Sequence, residues 1–482
     1  MNSTDMVIKS LVYKFLERFG SFFITFVIQL VLARLLSPKD FGIVAILTVF
    51  INIAQVFVQS GFSTSLIQKK KVTETDYSSV FYISFLISIV LYIILFISAP
   101  TIEVFYRMEN LSNYLRIVSL IIIIGSYNSV QLAIVSREMK FHLLLYSTIV
   151  SNLISGLIGI FLALKGYGIW SLIFQQLISS SLNCLTLSYK VRWFPKLIFS
   201  YRSIKVLFAF GWKILLSSFL ETMYVQLQSL IIGRRFSANI LGYYNKGQQF
   251  PQIIITNVNG AIQSVMLPTL SKIQDDKIKM KSVVRRSVKT SSFIIFPLMT
   301  FLGVLGTPII TSLLGDQWKE SVPFLQISCF IFSLIPIHTA NLQALNAMGR
   351  SDLFLKLEIG KKMIGVIILV SAIFLFSTPM AIAVGAAISS VISLIINIGP
   401  SRKLLGYNYS EQIKDILPYI LTSLACGFGL YTFTFIPLNN FITVLLGGTL
   451  GGISYLILSY IFKLDSFMYI LNYVIKRRKN NG

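Results

Sequence analysis

Apolar residues fall along the chain in fourteen runs, each close to or longer than the roughly 20 residues a helix needs to cross a bilayer. The runs are 11–33, 41–66, 78–99, 114–135, 143–164, 169–189, 205–232, 240–269, 288–314, 321–345, 353–377, 380–400, 413–435 and 440–462. They are too long, and too continuous, for the alternating segments of a barrel, so the predicted elements are helices. Two runs, between Trp212 and Leu267, carry polar residues along one helical face. In the seventh, Lys213, Ser217, Glu221, Tyr224 and Gln228 follow at spacings of 4, 4, 3 and 4. In the eighth, Asn245, Gln249, Gln252, Thr256, Asn259 and Gln263 keep the same rhythm. Desolvating such a face against lipid tails is costly, so it must meet water, a polar cargo or another helix.

Composition narrows the class. Over 482 residues the chain is 55% hydrophobic and 12% charged, with mean hydropathy +0.76. A soluble chain this apolar could not cover its surface, whereas a polytopic helical membrane protein can. The connections are short, no extramembrane domain is expected, and function must reside in the bundle. The net charge of +24 does not indicate nucleic acid, because the cations sit in short loops between apolar runs. With the N-terminus inside, the inner segments hold 29 Lys and Arg and the outer ones 9; the asymmetry predicts that both termini are cytoplasmic and that the number of spans is even. No cleavable leader is evident, so the first helix is expected to be retained. Cys184, Cys329 and Cys426 lie inside apolar runs and read as small hydrophobes, not as disulfide or metal ligands.

A faint internal repeat follows. Phe19-Gly20 opens the first run as Phe210-Gly211 opens the seventh, and ARLLSPKDFG (Ala33 to Gly42) is echoed by GRRFSANILG (Gly233 to Gly242). SLIQKK (Ser65 to Lys70) corresponds to TLSKIQ (Thr269 to Gln274), and REMKF (Arg137 to Phe141) to GRSDLF (Gly349 to Phe354). The predicted architecture is an all-α polytopic membrane protein of about 14 transmembrane helices: two pseudo-equivalent six-helix lobes, 1–200 and 201–403, around a central polar cavity, with two further helices and a basic tail in 404–482. Equivalence of the halves requires stripes in the first two runs. Arg18, Ser21, Thr25 and Gln29 recur at spacings of 3, 4 and 4, and Thr48, Asn52, Gln55 and Gln59 at 4, 3 and 4.

The string from Phe19 to Ile46, with GFSTSLIQKK (Gly61 to Lys70), the REMKF turn, GYGIWSL (Gly166 to Leu172) and LGYYNKGQQFPQ (Leu241 to Gln252), resembles the polysaccharide transporter family. These are the Wzx-type flippases of the multidrug/oligosaccharidyl-lipid/polysaccharide exporter superfamily, and the pattern resembles in particular the teichuronic-acid and colanic-acid exporters. The resemblance implies a two-lobed alternating-access transporter in a bacterial cytoplasmic (inner) membrane. It implies as cargo an oligosaccharide on undecaprenyl diphosphate, moved to the outer leaflet, and as partners a coupling proton or sodium ion and polysaccharide polymerase or assembly proteins. Such cargo suits the stripes, since sugars need amide donors and acceptors and a diphosphate needs cations.

The residues then sort by chemistry. Arg18 and Lys213, at the cytoplasmic ends of the first and seventh runs, are diphosphate candidates; the alternatives are an ion pair for Arg18 with Glu17 or Glu221, and a snorkelling role for Lys213. Arg234, Arg235 and Lys246 flank an outer loop, either to receive the diphosphate or to meet lipid headgroups. Gln29, Asn52, Gln55, Gln59, Tyr224, Gln228, Asn245, Gln249, Gln252, Asn259 and Gln263 are sugar or cavity-lining candidates, with interhelical hydrogen bonding as the alternative. Glu221 is a coupling-ion candidate or half of a static pair. Glu358, Lys361 and Lys362 belong to an inner interface, and His338 to packing. No nucleotide loop, metal-spaced histidine pair or nucleophile motif is present, so neither enzyme activity nor a cofactor or metal is expected. The competing classes are an ion-coupled multidrug-type antiporter, which calls for a compact acidic site, and a membrane glycan polymerase or ligase, which calls for a large outer loop.

Overall fold

A computed structural model describes residues 3–480, and among them the regular structure is helical, joined by short turns. Contacts divide the chain into two compact units, Met1–Gly242 and Tyr243–Gly482. The first contains α1 (Ser3–Leu35), α2 (Pro38–Gln68), α3 (Glu74–Tyr106), α4 (Leu111–Val118), α5 (Leu120–Arg137), α6 (Phe141–Leu164), α7 (Ile169–Val191) and α8 (Tyr201–Arg235). α9 (Ala238–Ser271) starts at its end and lies mostly in the second. The second continues with α10 (Lys277–Val304), α11 (Gly306–Leu313), α12 (Val322–Ser333), α13 (Ile335–Ala347), α14 (Ser351–Leu375), α15 (Pro379–Leu405), α16 (Tyr409–Phe433), α17 (Asn440–Ile461) and α18 (Asp465–Asn480).

All fourteen predicted runs are helical, three of them broken: at Ser119, at Leu305 and at Leu334. Among the described residues, 12 helical stretches are long and apolar enough to cross a membrane. The other two runs are α7 and α14, helices of 23 and 25 residues, long enough but more polar. α14 carries Lys356, Glu358, Lys361 and Lys362, and α7 carries Gln175, Gln176, Ser179, Ser180 and Asn183. Helix α18, where the sequence suggested only a basic tail, packs on α10 and α17.

Local chemistry sets the helix starts. Ser37 with Asp40, Thr73 with Asp76 and Asn408 with Glu411 form reciprocal capping boxes that satisfy orphan N–H groups at the first turns. Asp276 caps α10, and the Lys279 N–H it accepts holds its carboxyl below the usual carboxylate range.

In the first unit α6 lies against α1 and α7. Its buried face is a run of small residues, Ser147, Ser151, Ser155, Gly159 and Ala163, each four apart. Small side chains let membrane helices approach closely where lipid supplies no hydrophobic drive. α2 packs antiparallel on α8 over its whole length. Gly61 meets Gly211 backbone to backbone, where a Cβ on Gly211 would lie 2.7 Å from the Gly61 carbonyl oxygen. One turn further on, Ser65 Oγ is 2.8 Å from that carbonyl and 3.0 Å from the carbonyl of Leu207.

At the other end the two echoed segments meet reciprocally. A Cβ on Gly42 would lie 1.7 Å from the Ala238 carbonyl oxygen, and one on Gly242 would lie 2.1 Å from that of Pro38. Ala238 stands in the second copy where Pro38 stands in the first, so each copy seats its glycine on the other's first helical turn. This is the contact expected of a local pseudo-two-fold axis.

Charged residues lock the helix ends. The Arg137 guanidinium donates to the carbonyls of Leu66 at 3.0 Å, Ile67 at 3.2 Å and Lys70 at 2.7 Å, and also to Lys69. It therefore caps the C-terminus of α2, a position favourable to a cation. In the second unit Asp415, 4% exposed, accepts from Arg285 Nη2 at 2.8 Å, Tyr407 Oη at 2.9 Å and Lys289 Nζ at 3.1 Å. Lys289 also pairs with Asp465 at the start of α18, and Lys281 with Glu411 at 2.8 Å. These pairs tie α16 and α18 to α10.

The reciprocal glycine contact leaves no room for a side chain. Gly42→Val should lower the thermal unfolding midpoint of detergent-solubilised protein by several degrees, a loss on the order of 1–3 kcal/mol or more from overpacking against backbone. Gly260→Ala, at a glycine whose Cβ would meet nothing within 4 Å, should leave it unchanged within about a degree. Equal midpoints for the two variants in a fluorescence melting assay would contradict the packing described.

Candidate functional site

Within the first unit, α1, α5, α6 and α7 line an open polar pocket of about 420 Å³. Its walls carry the amides of Gln29, Asn128, Asn152, Gln175, Gln176 and Asn183 and the hydroxyls of Thr25, Thr148, Ser179 and Ser180, and no charged residue lines it. Hydrogen bonds hold part of this wall rigid. Asn152 Nδ2 donates to Ser21 Oγ at 2.8 Å and to Thr25 Oγ1 at 3.1 Å, while its Oδ1 accepts from Ser179 Oγ at 3.2 Å. Asn128 Nδ2 donates to Asn183 Oδ1 at 3.3 Å, leaving Asn128 Oδ1 buried with no partner among the described residues. Fixed donors and acceptors around an uncharged space can bind a polyhydroxyl ligand. They give a cation nothing to neutralise it.

Of the sequence candidates, Gln29 lies on this wall, with Ser21 and Thr25 of the same α1 stripe bonded to it. The rest of the wall went unread, although Gln175, Ser179 and Asn183 stand four apart and Thr148 and Asn152 do likewise. That is the spacing which marked α8 and α9.

Two α2 candidates are engaged in helix packing. Gln55 Nε2 donates to the Ile121 carbonyl at 3.1 Å, its amide lies against Gly125, and Gln59 donates to Gln55 Oε1. They bridge α2 to α5, while Asn52 is exposed. On α8, Lys213 and Glu221 are exposed, and Tyr224 and Gln228 are partly buried. Arg18 is exposed, and its neighbour Glu17 pairs with Lys14 at 2.8 Å.

On α9 the amides divide. Gln252 and Gln263 are exposed; Asn245 and Asn259 are partly buried, and Asn259 Oδ1 has no partner among the described residues. Gln249 Oε1 accepts from Lys246 Nζ at 3.1 Å. Lys246 was expected at the outer loop, facing a diphosphate or headgroups, but it is only 5% exposed and lies 5.9 Å from the Trp318 ring centroid. The helix α9 begins at Ala238, eight residues earlier, so Lys246 is two turns inside, and its side chain is buried over an aromatic face. Arg234 and Arg235 are exposed at the last turn of α8 and line a second pocket. His338 pairs with Asn397 at 3.0 Å and Lys361 with Glu358. Among the described residues no group of three or more His, Cys, Asp and Glu could hold a metal ion.

Fold and site together define an all-helical integral membrane protein with an uncharged polar pocket inside its bundle. The chain belongs to the polysaccharide biosynthesis protein family, whose model matches residues 31–323. It is 26% identical over 377 residues to the teichuronic acid biosynthesis protein TuaB of Bacillus subtilis (strain 168), covering 77% of each chain. It is 24% identical over 417 residues to the succinoglycan biosynthesis transport protein ExoT of Rhizobium meliloti (strain 1021), covering 86% of this chain and 82% of that one. Among solved structures it shares the fold of the lipid II flippase MurJ in an inward closed conformation, with TM-score 0.76 and 21% identity over 95% of this chain and 99% of that one. An inward-facing multidrug resistance transporter of the MATE family and MOP superfamily aligns with TM-score 0.59 and 14% identity, over 81% of this chain and 98% of that one.

The hydrogen-bond pattern separates structural from free pocket residues. Asn152→Leu strands the Ser21, Thr25 and Ser179 hydroxyls and should cost about 1–3 kcal/mol. Gln176→Leu, which breaks no hydrogen bond described above, should leave the unfolding midpoint unchanged. Thermal melts of both proteins in detergent check the split.

Proposed function

We propose that the protein is a flippase: it moves oligosaccharide repeat units linked to undecaprenyl diphosphate from the cytoplasmic to the outer leaflet by alternating access, for assembly of cell-surface polysaccharide. The observation that carries the reading is the chemistry of the pocket between α1, α5, α6 and α7, whose amides and hydroxyls suit sugar hydroxyls. Family membership supports it, as do the relatives named for teichuronic acid biosynthesis and succinoglycan transport.

The rest of the reading follows the sequence. Both termini are taken as cytoplasmic and the lobes as 1–200 and 201–403, with 404–482 appended. Arg18 and Lys213, midway along α1 and three turns into α8, then lie toward the cytoplasmic side of the first and seventh apolar runs as diphosphate cations, and the exposed α9 amides Gln252 and Gln263, with Asn259, as further sugar contacts. Glu221 is the proposed site of a coupling proton or sodium ion, and polymerase or assembly proteins are the proposed partners. We read the chain as a transporter, not an enzyme, because transport and helix packing together account for the polar stripes without a catalytic group. The multidrug antiporter fits less well: a cationic drug calls for a carboxylate, and none lines this pocket.

Deleting the gene should accumulate undecaprenyl-linked repeat units on the cytoplasmic side, and analysis of those lipids identifies the cargo. Gln176→Leu, Lys213→Ala and Arg18→Ala should each lower surface glycan, by about tenfold where one strong polar contact to the cargo is lost, at unchanged membrane level of the protein. Wild-type glycan in all three would remove the pocket and both cations from the transport path.

A further inference from the structure

The second pocket, about 680 Å³ and entirely within the first unit, lies where the two echoed segments meet. Four cations line it: Lys39 from the first turn of α2, Arg107 just beyond α3, and Arg234 and Arg235 from the last turn of α8. The lone acidic lining residue is Glu109. None of the four cations takes part in an ion pair among the described residues. Four like charges around one cavity repel one another, and the arrangement is relieved by an anion of more than one charge.

Two of the four are also positioned by their surroundings. The Arg234 guanidinium stacks 4.7 Å from the Phe105 ring centroid, and Phe105 packs edge-on to Tyr106 at 5.1 Å. Tyr106 is itself buried, packed edge-on to Phe50 at 6.2 Å. Arg107 follows this anchor in the left-handed region at φ 54°, an unfavourable conformation for a non-glycine residue that turns the chain out of α3 and toward the pocket. The first turn of α9, at Ser237 to Asn239, completes the wall and adds the positive end of a helix.

We propose that this pocket is a binding site for phosphate groups at the outer surface of the membrane. The sidedness rests on the orientation and flippase reading above, whereas the phosphate chemistry rests on the pocket alone. Two sources carry that chemistry: the diphosphate of the polyprenyl carrier after translocation, and phospholipid headgroups. Planar guanidinium groups from different helices suit a diphosphate, which can accept paired hydrogen bonds on both phosphorus centres.

The test uses the full chain in nanodiscs of phosphatidylcholine, titrated calorimetrically with inorganic pyrophosphate. Saturable binding is expected in the wild type. Arg107→Gln combined with Arg235→Gln should weaken it about tenfold or more, and Glu109→Gln should tighten it; both variants are to be checked for a wild-type unfolding midpoint. In discs that also contain phosphatidylglycerol, undiminished pyrophosphate binding assigns the site to the diphosphate. Competition that vanishes in the double variant assigns it to headgroups. Pyrophosphate affinity indifferent to both variants overturns the site. Sidedness is read separately: Arg107→Cys, in a chain with its three native cysteines replaced by serine, should react with an impermeant maleimide on intact cells. Protection of a protein that binds pyrophosphate as expected would overturn the orientation and leave the site standing.

Discussion

A polar side chain placed in a hydrocarbon slab must be hydrogen-bonded by the protein, or by water or cargo that the protein admits, and the interior of this bundle is arranged around that requirement. The amides meet it in two ways. Gln55 and Gln59 spend their groups on a carbonyl of α5 and on each other, and they sit where Gly125 leaves space for an amide. Asn152 binds three hydroxyls and thereby fixes the wall of a pocket, which the amides of Gln175 and Gln176 also line. The first pattern closes a helix interface, and the second leaves room for a guest.

The cations divide on the same principle. Arg137, Arg285 and Lys289 are consumed by the protein, the first on the carbonyls ending α2 and the others on Asp415 and Asp465. The contacts of Arg137 satisfy orphan carbonyls and those to Asp415 a nearly buried carboxylate, the situations in which a charge contributes most to holding helices together, whereas Asp465 is exposed. Lys39, Arg107, Arg234 and Arg235 have no such internal use and share one cavity. A positive-inside count treats all of these residues alike. Only the packing distinguishes a cation that holds the fold from one free to meet a ligand.

The helical class, the fourteen helical runs and the echoed segments were legible in the sequence because they rest on one-dimensional signals: apolar length, helical period and repetition. The fate of a particular amide was not. Period places Gln55 and Gln29 on equally polar stripes, yet one meets a glycine on α5 and the other a pocket, a difference decided by the small residues on the partner helix. Lys246 was misplaced because its charge assigned it to the outer loop although it falls six residues inside the eighth run, where its side chain is buried over the Trp318 ring. The pocket wall on α6 and α7 was available to the same spacing rule that found α8 and α9, but Thr148, Ser179 and Ser180 are interspersed among its four amides. Their weaker signal blends with the small residues that membrane helices use for close packing. Asp415 was unreadable for a different reason, since its cationic partner Arg285 lies 130 residues away in sequence.

The echoed segments join these themes. Gly42 and Gly242 each rest on the first turn of the other copy, and the cations of the second pocket are drawn from the same two copies, Lys39 from one and Arg234 and Arg235 from the other. Any rearrangement that parts the two turns must also part those charges. An anion spanning them therefore favours the arrangement in which they are together, by the difference in its affinity for the two arrangements and by no more than that. Occupancy of the pocket and closure of the glycine contact are then linked quantities. A ligand that arrives there when transport is complete would favour return of the helices to the contact seen here, and a pocket without those charges would leave the glycine contact to helix packing alone.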